Sequence, residues 1–445
     1  MASDLLSIAA SGTRAARSAL DVTAQNIANA STEGYVRRTA QMEEVSAAGG
    51  FLRSNDISLS GVRVSGVNRN ADAFRQAEVR RTNSDATRAA TELNGLMNIE
   101  DAVEQADVYT AIVEFEGALK QLGADPVDPS LRAATLASAE TLAAKFNIAA
   151  NGLDAAAQGE QFDASAEVDQ ANVLASEIAR INGRLARAGA GSSDQASLLD
   201  QRDLMLEKLS GITNINTTFA SDGTVTVNLG GATGPALVSG SNTSPLAMTT
   251  AADGTISFDV GGTGVAVSGG SLSGHALVLQ EVATVRGKLD TLAAQVANTV
   301  NAAQAAGVDL DGATGTPIFA GTTAATISVV ATDGRAIATA PAGAAAGSRD
   351  ASNLTALSSA LESGGVASRM NSLLFDVSSR VSGRKVTSEA LATIASSART
   401  TLQQQSGVDL DQEAANLIRF QQAFQASGRA MQVATDIFDT LIGIG

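Results

Sequence analysis

Residues 417–441 read LIRFQQAFQASGRAMQVATDIFDTL, and their spacing decides the architecture. Leu417, Phe420, Phe424, Ser427, Met431, Ala434, Phe438 and Leu441 follow one another at steps of 3, 4, 3, 4, 3, 4 and 3. That is the seam of an amphipathic helix sustained for more than three heptads, with acidic, basic and amide side chains on the other faces. Upstream, Gly407 closes a preceding helix, and Asp409 with Gln412 has the pattern of a capping box. The spacing predicts a C-terminal helix over 407–445 that needs a mate.

The other end of the chain offers one. Leu5, Ile8, Ala15, Ala19 and Val22 form one seam, with Leu6, Ala9, Ala16, Leu20 and Ile27 beside it. The face is wide but thin, and the small residues permit close helix approach. A lone helix of this size buries too little to hold itself together in water. Turn-formers at Ser31-Thr32-Glu33-Gly34 end it. The economical layout is nested. The terminal helices pair with each other or with neighbouring copies, and are expected to fray in the isolated monomer and fold on assembly.

Between the ends, residues 45–70 alternate loosely through Ile57, Leu59, Val62, Val64 and Val67, with Gly49-Gly50, which suggests a hairpin or extended segment. Helix is expected over 72–122, broken by Asp125-Pro126-Val127-Asp128-Pro129, then over 130–152, over 163–188, and from a cap at Ser193 or Asp194 through Leu209. From Ile212 to Gly274 the texture turns to Gly, Thr, Ser and Val. Asp222-Gly223 and Asp253-Gly254 lie between alternating runs, a strong hairpin signal. Helix returns at Ala276 with a seam from Val278 to Ala303. Residues 307–352 are rich in Gly, Ala and Thr with one strand over 326–330, and helix follows over 353–405 with interruptions at Gly364-Gly365 and Gly383. Gly-Val-Asp-Leu-Asp occurs at 307–311 and 407–411, each time after a helix, and reads as recurrent cap chemistry. The fold class is mainly α with a β-rich insert. The division is 1–35 and 407–445 for an inner domain, 36–211 and 275–406 for a helical middle domain, and 212–274 for the outer insert.

Composition excludes many activities. The 445 residues include no Cys, no Trp and one His, and the net charge is −16. Disulfide frameworks, zinc–thiolate sites and thiol nucleophiles are therefore out. The acidic balance and the 3% aromatic content disfavour nucleic acid. The first 90 residues are slightly basic, with 11 Arg against 9 acidic residues. No apolar run is long enough for a membrane span, and Met1-Ala2-Ser3-Asp4 does not open a cleavable secretory signal.

No motif points to catalysis, a cofactor or a metal. His275 has no acidic neighbour in sequence and reads as a structural or exposed histidine. Gly261-Gly262-Thr263-Gly264 lacks the strand-to-helix context of a dinucleotide site. Asp309-Leu310-Asp311-Gly312 lacks the further ligands of a calcium loop.

Three segments carry a family resemblance. AQNIANASTEGY at 24–35 resembles the N-terminal signature of bacterial flagellar rod, hook and hook-associated proteins, with Asn26 and Asn29 in its asparagine positions. LLDQRDL at 198–204 is similar to a mid-chain motif of the hook-associated protein 1 family, which rod and hook proteins do not share. EAANLIRFQQAFQAS at 413–427 is similar to the C-terminal signature of that family, with Phe420 and Phe424 where Tyr is frequent.

The resemblance implies a non-enzymatic structural subunit at the hook–filament junction, outside the cell, secreted by type III export without a cleaved signal. It implies as partners the hook protein, other hook-associated proteins, a flagellar export chaperone and further copies in a ring, with no nucleic acid and no membrane insertion. The expected interface comprises Leu5, Ile8, Leu20, Asn26, Ile27 and Asn29 at one end. At the other end it comprises Leu417, Phe420, Phe424, Met431, Phe438 and Leu441. A hook or rod subunit is the nearest alternative. A secreted enzyme or adhesion module carried on axial-protein ends is the alternative of a different class.

Overall fold

The computed structural model describes residues 2–46 and 59–443. Helix α1 (Ala2–Ala28) leads into an antiparallel hairpin of β1 (Arg38–Ser46) and β2 (Leu59–Arg69). The hairpin begins earlier than residue 45, and Gly49-Gly50 and Ile57 lie outside the described residues. Next come α2 (Ala73–Ala106), α3 (Val108–Ala124), α4 (Pro129–Leu185) and α5 (Ser193–Ile212).

These helices differ from the expected ones in three places. The helix expected over 72–122 is two, because Asp107 adopts a left-handed conformation (φ 54°) and its N–H bonds the Glu104 carbonyl. The helices expected over 130–152 and 163–188 are one, α4. Gly152 does not stop it but serves close packing: a Cβ there would lie 3.0 Å from Ala102 Cβ on α2. The N-cap of α5 is Ser192, one residue before the expected Ser193, and its hydroxyl accepts from the Gln195 N–H.

The β-rich region forms two antiparallel sheets. One orders β3 (Ile215–Phe219), β4 (Val225–Leu229), β5 (Ala236–Ser239) and β6 (Asn242–Thr243). The other orders β7 (Leu246–Thr250), β8 (Ile256–Val260) and β9 (Thr263–Val265). Both Asp-Gly signals sit in hairpin turns: Asp222 and Asp253 each accept from the backbone N–H and hydroxyl of the Thr two residues on. Alternate strand residues such as Val225, Val227, Leu229, Phe258 and Val260 are buried with Leu174 and Ile178 of α4 and Leu206 and Leu209 of α5.

Helix α6 (Gly270–Ala306) starts six residues before the expected Ala276. Gly270 permits this, since it has φ +75° and lies so close to the end of α5 that a Cβ would fall 2.3 Å from the Ile212 carbonyl carbon. Short pairs β10 (Gly307–Val308) with β13 (Ala340–Pro341), and β11 (Phe319–Ala320) with β12 (Ser328–Val329), shape the 307–352 segment. The strand expected over 326–330 is only β12. Arg132 of α4 organises this segment: fully buried, it donates to the carbonyls of Pro126, Gly334 and Ile337 and to the Thr339 hydroxyl.

Helix α7 (Ser352–Gly364) ends at left-handed Gly365, and α8 (Val366–Ser406) runs through Gly383 without the expected interruption. Helix α9 (Leu410–Gly443) closes the chain. The Gly-Val-Asp-Leu-Asp copies share their cap geometry. Gly307 caps α6 and Gly407 caps α8, and Asp309 and Asp409 each accept from the N–H two residues on. The main core lies among α2, α3, α4, α6, α7 and the start of α8, around Phe115, Phe146, Ile99, Leu142 and Leu289.

Candidate assembly interface

Helices α1 and α9 pack along each other. Asn26 meets Glu413, and Gly12 lies so close to Ser427 that a Cβ would stand 2.9 Å from its hydroxyl. These contacts are 14 residues apart in each helix (26 − 12 and 427 − 413), so the pair is antiparallel. The buried side of α1 is small: Ala9, Ala15, Ala16, Ala19 and Val22. From α9, Ala434 is buried, and Leu417, Phe420, Ser427 and Met431 are half-buried.

The expected interface residues therefore separate into classes. Asn26 is buried, while Leu20 and Asn29 are half-buried. Leu5, Ile8, Ile27, Phe424 and Phe438 are exposed, the last at 48%. Asn29 bonds locally to the Gln25 carbonyl and lines an open cleft of about 440 Å³ with Thr32, Tyr35, Ser197 and Gln201. Leu441 is in α9, with its side chain outside the described residues.

The three motif segments, far apart in sequence, meet in one buried polar hub at the base of this pair. Asn26 saturates its amide: Nδ2 donates to the Arg38 carbonyl (2.8 Å) and Glu413 Oε2 (3.1 Å), while Oδ1 accepts from the Arg38 N–H (3.0 Å) and the Tyr35 hydroxyl (2.9 Å). Glu413, 1% exposed, takes Arg37 Nε at 2.7 Å. Arg38 lies over the Tyr35 ring and bonds Asp200 at 2.7 Å. Arg69, from β2, bridges Asp200 and Asp203 at 2.8 Å each, and Arg202 grips the other oxygen of Asp203 at 2.6 Å.

Burial opposes the charge on Asp203, but Arg202 and Arg69 outweigh it and hold the carboxyl below the ordinary carboxylate range. At Asp200 burial prevails over Arg69 and Arg38 and pushes the carboxyl up. The hairpin also packs on α1 away from the hub, four turns nearer the start of that helix. The Ser11 hydroxyl accepts from the Val62 N–H (3.1 Å) beside Gly61, where φ is +90° and a Cβ would strike that hydroxyl. Sequence reading passed over Arg37, Arg38, Arg69 and Ser11. Glu413, Asp200, Arg202 and Asp203 stood inside quoted motifs, but nothing in the sequence said that they meet.

The histidine takes the structural one of its two expected roles, with acidic partners brought to it from α4. His275 is buried, with Nδ1 2.6 Å from Glu160 and Nε2 3.6 Å from Glu167, two turns apart on α4. Burial works against its proton, but the two carboxylates prevail and raise its pKa to about 9. At the Asp309–Gly312 loop, Asp311 pairs with Arg335. Among the described residues, no group of three or more His, Cys, Asp or Glu is placed to hold a metal, and no helix is long and apolar enough to cross a membrane.

Comparisons with known proteins agree with the placement of the motifs. Residues 79–319 match the family model described as the flagellar hook-associated protein FlgK helical domain. Residues 6–35 match a flagella basal body rod protein model, and residues 402–444 match the C-terminal model of basal body rod FlgEFG proteins. Flagellar hook-associated protein 1 of Escherichia coli K12 is 28% identical over 72% of this chain and 60% of its own length. The protein of the same name from Bacillus subtilis 168 is 24% identical over 97% of this chain and 96% of its own. The chain thus spans about three fifths of the length of the Escherichia coli and Salmonella relatives.

Among solved structures, the flagellar hook junction protein FlgK from Burkholderia pseudomallei superposes with a TM-score of 0.50 at 26% identity. That match covers 55% of this chain and 46% of the other. The helical-domain match spans more than half of the chain and contains LLDQRDL, which lies outside both rod-type matches. The chain belongs to the flagellar hook-associated protein FlgK family.

Proposed function

We propose that this chain is a structural subunit of the bacterial flagellum that joins hook to filament, and that its role is mechanical, not enzymatic. The observation that carries the reading is the hub. Asn26, Arg38, Asp200, Asp203 and Glu413 tie the α1–α9 pair to the helical block, and the pair keeps Leu5, Ile8, Ile418, Phe424, Val433 and Phe438 exposed. Exposed apolar side chains along a thin two-helix pair favour burial against further copies and neighbouring axial subunits. In this reading residues 1–35 and 407–445 form the inner wall of a tube. Residues 36–211 and 275–406 form the surrounding helical domain, and 212–274 form an outer unit. The subunit leaves the cell through the flagellar export route, and a chaperone covers the C-terminal helix beforehand. Outside, it contacts the hook protein and other hook-associated proteins.

Deletion of the gene tests this. The expected phenotype is hooks without filaments and filament subunit shed into the medium, while normal filament growth in the deletion strain would refute the proposal. Complementation with Phe424→Asp/Met431→Asp is expected to fail, although the purified variant keeps the helical content of the parent.

A further inference from the structure

Arg202 and Asp203 are adjacent on α5. Adjacent helix positions point to faces about 100° apart, so such residues do not pair by default. Here they do: Arg202 Nε and Nη2 both donate to Asp203 Oδ1, at 3.0 and 2.6 Å. What turns the guanidinium along the helix comes from the β-rich insert. Its remaining nitrogen, Nη1, donates to the Gly223 carbonyl, and its face lies on the Phe219 ring, 4.5 Å from the centroid. Phe219 ends β3 and Gly223 sits in the turn to β4, so one hairpin supplies both contacts.

That hairpin is itself fixed to the helices. At Gly223 φ is +86°, and a Cβ would stand 2.9 Å from Leu199 Cδ2, one turn before Arg202 on α5, so the turn is seated on that helix. Asn182 of α4, 1% exposed, donates to the Val225 and Gly240 carbonyls (2.8 Å each) and accepts from the Val225 N–H (2.9 Å). The Phe219 ring also meets Arg80 of α2 at 5.9 Å, and Arg80 donates to the Thr217 hydroxyl at 3.4 Å. A shift of the hairpin therefore takes Arg202 with it or breaks both of its contacts to the insert.

Asp203 turns its other oxygen to the neck. Oδ2 accepts from Arg69 at the end of β2 (2.8 Å) and from Gln76 in the first turn of α2 (2.9 Å). Arg69 also holds Asp200, which takes Arg38, and the Arg38 backbone brackets Asn26. The carboxylate has the insert's arginine on one oxygen and the base of the terminal pair on the other.

We propose that the β3–β4 hairpin of the insert is a working part of the hub, with Phe219 as its positioning residue. The Phe219 ring and the Gly223 carbonyl aim Arg202 at Asp203, and Asp203 then fixes the corner where β2 meets α2 under the terminal helices. The insert is then no detachable decoration, because a displacement of the outer unit reaches the neck through one guanidinium. The coupling lies within a single chain, so it goes beyond the junction reading and does not depend on it.

Amide hydrogen exchange of the purified full chain tests this with Phe219→Leu, which keeps the apolar bulk and removes the aromatic face. Phe219 is 39% exposed, so the variant is expected to fold. The reporters flank Arg69: the Val67 N–H, bonded to the Gly191 carbonyl, and the Asn70 N–H, bonded to the Arg37 carbonyl. Exchange at these two amides is expected to be about fivefold faster, the worth of one cation–π contact. Amides around Phe146 should keep the parent rate, and Phe219→Tyr should restore it at Val67 and Asn70. Acceleration confined to residues 215–229 would overturn the inference. Equal acceleration around Phe146 would also overturn it, since that marks a general loss of stability. So would a lack of protection at Val67 and Asn70 in the parent chain, because the corner would then not be fixed.

Discussion

The two ends of the helical block are built by different physics. Away from the terminal helices, α2 buries Leu96, Ile99, Val103 and Ala106, and α8 buries Val366, Met370, Leu373 and Val377. There Phe115 meets Phe319 edge-to-face at 6.0 Å, and Phe146, Leu142 and Leu153 are fully buried. Toward the terminal helices the same two helices change character. Between Val79 and Gly95, α2 buries Arg80, Thr82, Ser84, Ala89 and Glu92, and beyond Val377 α8 buries only Ser388 and Ser406. The neck also holds buried polar atoms without a partner, among them Arg38 Nε, Glu92 Oε2 and Ser406 Oγ. Apolar packing is non-directional and makes a stiff block. Ion pairs and amide bonds are directional, so the neck fixes the register of three distant segments while burying little apolar surface.

This contrast can be broken by substitution. Asp203→Ala is expected to cost the most, about 3–5 kcal/mol, because two buried guanidiniums lose their carboxylate. Denaturant unfolding of the full chain measures it. The folded carboxyl titrates below its unfolded value, so its stabilisation is present above about pH 4 and lost as pH falls. The gap between wild type and Asp203→Asn should therefore close in acid. Phe146→Ala in the block should cost about 3–4 kcal/mol through the cavity it leaves, with no such pH dependence.

His275→Gln should have a smaller effect of opposite sign in pH. The folded imidazole is raised to about 9, so its stabilisation is full below about pH 6.5 and lost as pH rises through 9. Melting temperatures of wild type and His275→Gln should converge above that pH, and a gap that persists at pH 10 would exclude the Glu160–His275 pair as its cause. Phe424→Asp, at 38% exposure, should shift unfolding by no more than about 0.5 kcal/mol and act only on assembly.

Much of the fold was legible because it is periodic. The 3-4 seam of α9, the small-residue face of α1 and the Asp-Gly hairpins are local signals, and each corresponds to the element its spacing predicts. The misplaced boundaries trace to single residues whose effect is tertiary. Gly152 and Gly383 read as breakers but lie within α4 and α8, and Gly270 starts α6 early because the chain there presses on α5. Asp107 carries no breaker signature, yet its left-handed backbone divides α2 from α3. The candidate site was legible as three motifs but not as one place.

By itself, the sequence determined that the chain begins and ends in amphipathic helices, carries a β-rich insert and offers no thiol chemistry, since periodicity and composition act within a few residues. Only the tertiary structure decided that Asn26, Arg38, Asp200 and Glu413 form a single hub, and that His275 lies between two glutamates. The Asn26–Glu413, Arg38–Asp200 and His275 pairings join residues 108 to 387 positions apart, and the path of the folded backbone sets such distances.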